Sequence, residues 1–144
     1  MTSVTLAHVS DLHFGRDAQL DQIEALEALL PELDPSAVVI SGDLTQRARH
    51  GELQRALCFV RQVGRHAPTL VIPGNHDVEW WKSPFGLLGA AVRTRKYRRY
   101  FGDNLAPSLE LPGLCVAAVL TSHGAALGSM TPNLNDTAVK GHLP

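Results

Sequence analysis

Three short apolar runs, each followed at once by polar residues, dominate the first half of the chain. They are residues 4–9, 37–40 and 69–72. The run at 37–40 has four apolar residues in succession, and such a run without alternation fits a strand that is covered on both faces. Pro73 and Gly74 then break the third run. The pattern therefore predicts three buried strands.

Two stretches between these strands carry apolar side chains at helical spacing. They are Leu20, Ile23, Leu26 and Leu30 within residues 17–30, and Leu53, Leu57, Val60 and Val63 within residues 50–64. Asp17 is a candidate N-cap and Pro31 a candidate stop for the first helix, while Gly64 is a natural stop for the second. The order β-α-β-α-β predicts a parallel sheet with helices on its faces.

The second half of the chain is less regular. Residues 83–102 predict a further helix, although Pro84 and two glycines leave its first turn undefined. Leu114–Leu120 is an apolar run that predicts one further strand. Residues 121–144 are rich in Gly, Pro, Ser, Thr and Asn, a composition that is typical of loops.

Polar residues that can bind a metal follow each of the three predicted strands. Asp11 and His13 follow the first, Asp43 the second and Asn75 the third. Asp43 comes 32 positions after Asp11, and Asn75 comes 32 positions after Asp43. A strand, a crossover helix and the next parallel strand need roughly 30 residues or more. The spacing can therefore place all four side chains at the carboxyl edge of one sheet, where open α/β sheets bind ligands.

Carboxylate, imidazole and amide groups are ligands for hard or borderline divalent metals. Asp11 and His13 are two positions apart, so both side chains can turn toward one ion. Asp43 has two oxygens and can bridge two ions, and Asn75 offers an amide oxygen. Two ions roughly 3.5–4 Å apart can bind a phosphate group and generate a hydroxide nucleophile at neutral pH.

His76 and Asp77 directly follow the last of these ligands. His76 suits a general acid for the leaving group or a stabiliser of phosphoryl charge. Asp77 is a candidate to orient the His76 imidazole, as carboxylates do around metal sites.

Taken singly, each of these polar side chains is more often a turn or capping residue. Three polar clusters at strand ends, equally spaced, favour the metal site.

Length and composition narrow the class of protein. The 144 residues suit one domain, and 44% hydrophobic with 19% charged residues is a globular balance. The formal net charge of -1 gives no general attraction to nucleic acid or anionic membranes. We find no apolar run of about 18–20 residues and no signal-peptide pattern. Cys58 and Cys115 lie in apolar stretches, which favours core residues in a reducing compartment over a disulfide. We therefore expect a cytoplasmic protein.

Two further features allow a functional and a structural interpretation. The basic run Arg93–Arg99, with Tyr97 inside it, is either a solvated helix face or a contact for a polyanionic substrate. Trp80 and Trp81 directly follow the His76 loop. They either pack in the core or stack on a nucleobase. The balanced total charge favours the solvated face for the basic run.

The three polar motifs together resemble the calcineurin-like metallophosphoesterase family. They are residues 10–13 (Ser-Asp-Leu-His), 41–45 (Ser-Gly-Asp-Leu-Thr) and 73–77 (Pro-Gly-Asn-His-Asp). The surrounding residues are most similar to the branch of cyclic-nucleotide phosphodiesterase-like bacterial enzymes. The resemblance implies a four-layered α/β/β/α sandwich. It also implies hydrolysis of phosphomonoesters or diesters at a centre of two divalent metal ions (Mn, Fe or Zn).

The resemblance also assigns roles to single residues. Asp11 and His13 would bind the first metal, and Asp43 would bridge both metals. Asn75 would bind the second metal, and His76 would be the catalytic histidine near the phosphate.

The family normally completes this site with a later His, often in a His-His pair, and a Gly-His-x-His element, and neither occurs here. Residues 141–144 (Gly-His-Leu-Pro) begin like the latter but end with Pro, and His123 is a candidate substitute ligand. We expect residues 1–144 to be the N-terminal part of a single metallophosphoesterase domain whose C-terminal half is absent. The second metal site would then be incomplete, and the uncovered sheet face would favour self-association.

The sequence therefore predicts a metal-dependent phosphoric ester hydrolase, a phosphodiesterase for small, cyclic-nucleotide-like diesters. Its expected partner is a small phosphoester, with no membrane and no nucleic acid. One alternative is a non-catalytic metal- or nucleotide-binding remnant, which the missing histidines favour. The other is a nuclease of the same superfamily, which the basic run supports.

Overall fold

A computed structural model of the chain describes residues 3–79 and 89–121. Its elements, in chain order, are β1 (Leu6–Val9), α1 (Leu20–Leu33), β2 (Ala37–Ser41), α2 (His50–Val63), β3 (Thr69–Ile72), α3 (Gly89–Phe101), β4 (Ser108–Leu111) and β5 (Leu114–Ala117). The sequence predictions for Trp80, Trp81, His123 and residues 122–144 lie outside the described residues. So does the first part of the helix that was expected from residue 83.

The first three strands form a parallel sheet in the order β1-β2-β3. Ala37 to Ile40 of β2 pair with Leu6 to Val9 of β1, and Val38 to Ser41 pair with Thr69 to Ile72 of β3. The central strand is the most buried of the three, as its unbroken apolar run predicts. The predicted β-α-β-α-β parallel core is confirmed, and all three strand ends meet at one edge.

Helix α1 differs from its prediction at both ends. Asp17 does not cap it, because its carboxylate lies 3.4 Å from the Gln46 side-chain amide and the helix begins only at Leu20. Pro31 does not stop it, because a proline in the last turn removes few helical hydrogen bonds. The helix ends instead at Leu33, and Asp34 caps it, with a left-handed backbone (φ 44°) and an N–H that donates to the Pro31 carbonyl.

Helix α2 runs from His50 to Val63, as predicted. The carboxylate of Glu52 accepts hydrogen bonds from the backbone N–H groups of Arg47 (2.8 Å) and Arg49 (3.2 Å). It thereby satisfies donors at the start of the helix that have no partner within it. Phe59 of α2 packs in the core with Ile23 and Leu30 of α1 and Tyr97 of α3.

The last two described strands form a separate antiparallel hairpin. The predicted strand Leu114–Leu120 is shorter than expected, since β5 ends at Ala117, and its partner β4 was not predicted. Pro112 and Gly113 connect the two strands, and Gly113 has a positive φ of 81°, as the third residue of a type II turn requires. Cys115 is exposed here, and so is Cys58 on α2, so the prediction that both are core residues is wrong.

In the part of the chain that the structure describes, no helix has the length and apolar character that crossing a membrane requires.

Candidate metal centre

The loops that follow β1 and β2 are joined side by side at the carboxyl edge of the sheet. The backbone N–H groups of Asp11, His13 and Phe14 donate to the carbonyl oxygens of residues 42, 43 and 44, at 3.2, 2.9 and 2.7 Å. Phe14 and Thr45 also form a parallel bridge beyond the strands. Because this ladder extends past the regular sheet, it fixes the first loop against the second.

The ladder brings together Asp11, His13 and Asp43. One potential ligand atom of each lies within 4.8 Å of the others, and His13 Nε2 is 3.6 Å from Asp11 Oδ1. Asp11 is exposed, while His13 and Asp43 are half-buried, so an ion can reach the cluster from solvent. Two carboxylates and one imidazole are a donor set that suits Mn, Fe or Zn. The residues therefore fit the divalent metal that the sequence predicts.

All three of these side chains start from a left-handed backbone. The φ angles of Asp11, His13 and Asp43 are 60°, 45° and 50°. Non-glycine residues rarely adopt this region, although Asp and His do so more often than most. Such conformations cost of order 1–3 kcal/mol each and cluster at functional sites. Their coincidence at three neighbouring candidate ligands is an observation, independent of side-chain chemistry, that supports a functional site.

Two glycines allow the second and third loops to approach each other closely. Gly42 has a φ of 84°, and a Cβ atom there would collide with the backbone of Gly74. A Cβ atom on Gly74 would in turn collide with the Asp43 carboxylate. The absence of both side chains lets the third loop lie directly against Asp43.

Asn75 occupies that third loop, between two residues that contact Asp43. Gly74 packs against the carboxylate, and the backbone N–H of His76 donates to Asp43 Oδ1 at 3.0 Å. Asn75 is half-buried, and in the sequence it stands between these two residues. Its role as a ligand of a second metal, together with Asp43, stays a prediction.

His76 lies against the cluster, with its ring fixed by a backbone group. Its Nδ1 is 2.8 Å from the carbonyl oxygen of Gln46. Because a carbonyl oxygen can only accept, Nδ1 carries the hydrogen. The ring centroids of His76 and His13 are 5.0 Å apart, and the two planes are nearly perpendicular at 88°. The Nε2 atom of His76 therefore remains available for a ligand.

The prediction that Asp77 orients His76 is wrong, since the Gln46 carbonyl does so. The Asp77 carboxylate instead accepts four hydrogen bonds. They come from the backbone N–H groups of Leu44, Thr45 and Gly74, at 3.1, 2.8 and 2.9 Å, and from the Thr45 hydroxyl at 2.8 Å. Asp77 is fully buried, and burial raises the pKa of its carboxyl above the ordinary value, against the lowering effect of these bonds. Its role is to fasten the second loop to the third.

Sequence reasoning missed Gln46 and Thr45 as parts of this site. Thr45 lies at the end of the second motif, yet only its contact with Asp77, 32 residues later, reveals what it does. Gln46 acts through its backbone carbonyl, and a main-chain group leaves no signal in the sequence. His8 lies on β1 with its Nε2 atom 2.6 Å from the Ser41 hydroxyl, a contact between neighbouring strands and not with the candidate metal centre.

The basic run of α3 is partly used within the protein. Arg93 is buried. Lys96 pairs with Glu79 at 3.0 Å, and Arg98 pairs with Asp103 at 3.5 Å. Arg95 and Arg99 are exposed. The run therefore presents fewer surface charges to a polyanion than the sequence suggests.

The model of the family described as calcineurin-like phosphoesterase matches residues 4–140 of this chain. The match includes all three loops of the candidate metal centre. The chain belongs to the calcineurin-like phosphoesterase family. A search of curated proteins finds no match. Membership in this family, together with the cluster of Asp11, His13 and Asp43, supports a metal-dependent phosphoesterase.

Proposed function

We propose that this calcineurin-like phosphoesterase hydrolyses small phosphodiesters, of the size and type of cyclic nucleotides, with divalent metal ions. The observation that carries the proposal is the placement of Asp11, His13 and Asp43 within 4.8 Å of one another, with the His76 ring beside them. Three candidate metal ligands and the His76 ring thus lie together at the edge of the sheet.

Asp11, His13 and Asp43 would hold the first ion, and Asp43 with Asn75 would hold the second. When bound, divalent ions would supply positive charge to phosphoryl oxygens and lower the pKa of water at the site. The ligand types suit Mn, Fe and Zn. Gly74 contacts the Asp43 carboxylate and directly precedes Asn75 in the chain, which supports a role for this carboxylate at both metal positions.

His76 would act on the substrate through Nε2. The hydrogen bond from Nδ1 to the Gln46 carbonyl fixes both the ring and the position of one proton. In its protonated form Nε2 can donate to a phosphoryl oxygen or give its proton to the leaving alcohol. The main-chain bond from His76 to Asp43 couples the position of this ring to that of a metal ligand.

Small diesters are favoured over polynucleotides because part of the basic run of α3 is engaged within the protein, since Arg93 is buried and Lys96 pairs with the buried Glu79. A second candidate function is metal binding without turnover. Among the His, Cys, Asp and Glu residues of the described ranges 3–79 and 89–121, one group of three could hold a metal ion. These three can hold the first ion, whereas the second ion depends on Asn75.

Hydrolysis of bis(p-nitrophenyl) phosphate with added Mn²⁺ tests the proposal. We expect turnover in the wild type, loss of turnover in Asp43→Asn, and a decrease of about 10²- to 10³-fold in kcat for His76→Gln, the usual cost of removing a donor to a developing oxyanion, since p-nitrophenolate leaves without a general acid. His66→Gln is the matched control, because His66 is exposed near the end of α2. Binding of Mn²⁺ by folded wild-type protein without any turnover would favour the second candidate.

A further inference from the structure

A pocket of about 390 Å³ opens directly beside the candidate metal centre. It lies between the loop after β1 and the first turns of α1. Asp11 and His13, the two ligands from that loop, form part of its wall. Its volume is near the lower end of the 300–1,000 Å³ range of small-molecule sites. A group bound here would therefore be small and adjacent to a phosphate held by the metal ligands.

The chemistry of the remaining wall is apolar with amide groups. Leu12, Ile23 and Leu26 supply apolar surface, and these three side chains also pack in or against the hydrophobic core. Gln19, directly before α1, and Gln22, in its first turn, supply side-chain amides. Both glutamines are exposed, so their amides can hydrogen-bond to a ligand without losing a partner inside the protein.

The charge of the wall excludes a second anionic group. The described residues that line the pocket include Asp11 and Asp17 but neither Lys nor Arg. Asp11 is a candidate metal ligand, so Asp17 is the carboxylate that an anion would meet away from the metal centre, and like charges within a few ångströms repel. An uncharged ring with hydrogen-bonding edges meets apolar surface below it and amides beside it, which is the usual composition of a small-molecule pocket.

We infer that this pocket binds the uncharged, ring-bearing alcohol portion of the phosphoester and thereby selects the substrate. The inference rests on the proposed function, since the metal centre beside the pocket would hold the phosphate. Gln22 is the specificity-determining residue. Its side chain lines the pocket, and its exposed position on α1 leaves the amide accessible to a ligand. Substrates whose alcohol carries a further phosphate or carboxylate are disfavoured.

Binding to the metal-free protein tests the pocket without any need for turnover. We expect saturation transfer in NMR from the full chain to the ring protons of adenosine, an uncharged ring compound, and a weaker effect with adenosine 5′-monophosphate. Gln22→Trp, which fills the pocket, should abolish the adenosine signal. Gln54→Trp, the same change at an exposed position of α2, should retain it. Absence of the signal in the wild type, or equal signals in the wild type and Gln22→Trp, would overturn the inference.

Hydrolysis then separates this inference from the proposed function. With Mn²⁺ and bis(p-nitrophenyl) phosphate, Gln22→Trp should raise KM about tenfold, a modest loss of pocket contacts, and change kcat little. If adenosine binding depends on Gln22 and no variant hydrolyses the diester, the pocket stands and the proposed function fails. If the wild type and Gln22→Trp hydrolyse the diester with the same KM, the pocket assignment fails and the proposed function stands.

Discussion

The buried carboxylate of Asp77 joins the two loops that carry Asp43 and His76. Each of its oxygens accepts two hydrogen bonds, one set from Thr45 and the other from the backbone N–H groups of Leu44 and Gly74. A carboxylate is an acceptor at both oxygens, whereas an amide presents a donor at one of them. At the scale of single residues, the geometry of the metal centre therefore depends on a side chain that does not face it.

Asp77→Asn should lower the free energy of unfolding. The side-chain NH₂ of Asn would take the place of a carboxylate oxygen that accepts two hydrogen bonds from N–H groups. Those donors would lose their acceptor, and a buried donor without a partner costs about 1–3 kcal/mol. We expect a loss of about 2 kcal/mol or more in urea unfolding followed by circular dichroism. Asp103→Asn is the control, because Asp103 is 88% exposed in its pair with Arg98. Equal midpoints for Asp77→Asn and the control would refute this role of Asp77.

The sequence was sufficient to predict the metal cluster, because Asp11, His13 and Asp43 are ordinary ligand types at strand ends with the spacing of a β-α-β unit. It was not sufficient for Asp77. That residue stands next to His76 in the chain, which suggested a contact between them, but its partners are 32 and 33 residues away. Contacts of this kind depend on how loops pack, which local patterns do not encode.

Helix α3 supports the candidate metal centre through Lys96. The Lys96 Nζ atom lies 3.0 Å from Glu79 Oε1 and donates to the carbonyl oxygen of Ala48 at 3.1 Å. Glu79 follows the His76 loop, and Ala48 follows Gln46. At the scale of elements, one side chain of α3 thus contacts the segments on both sides of the hydrogen bond that fixes the His76 ring.

Lys96→Met should destabilise the protein by roughly 3 kcal/mol, the lower end of the cost of breaking a buried ion pair, since Lys96 is 22% exposed and Glu79 is fully buried. Thermal and urea unfolding measure this change, with Arg95→Met on the exposed side of the same helix as control. Equal stability of Lys96→Met and Arg95→Met would contradict this account.

Strands and helices were predicted well where their apolar side chains recur regularly and are buried. This is the case for the three parallel strands and for α2. Strand β4 was missed because its four residues alternate between exposed and half-buried positions, and the hairpin depends on the Pro112–Gly113 turn. The end of α1 was misplaced because a proline in a last turn is tolerated, so Pro31 was given too much weight.

Large apolar side chains lie exposed over the described part of the molecule. They are Leu6, Leu20, Leu29, Leu33, Leu114 and Val119, between 38% and 50% exposed. Burial of these side chains against a second copy of the chain would contribute about 25 cal/mol per Å². At the scale of the whole molecule, we propose that the isolated chain self-associates through apolar surface, as the sequence predicts.

Sedimentation velocity over a range of protein concentrations measures this association. We expect the weight-average sedimentation coefficient to rise with protein concentration. Replacing the exposed Leu114 of β5 by Glu should lower this coefficient. A single monomeric species at every concentration, with a sharp and reversible thermal transition, would contradict the proposal. The predicted cytoplasmic location stays a prediction.

Binding of Mn²⁺ tests the central claim, that Asp11, His13 and Asp43 form a metal centre, more directly than any assay of turnover. Electron paramagnetic resonance of free Mn²⁺ gives the number of ions bound and their affinity. We expect at least one ion per wild-type chain, and a loss of affinity of about tenfold or more in Asp43→Asn, within the range for altered metal sites. Asp103→Asn should bind like the wild type. Equal Mn²⁺ affinity in Asp43→Asn and the wild type would contradict the account.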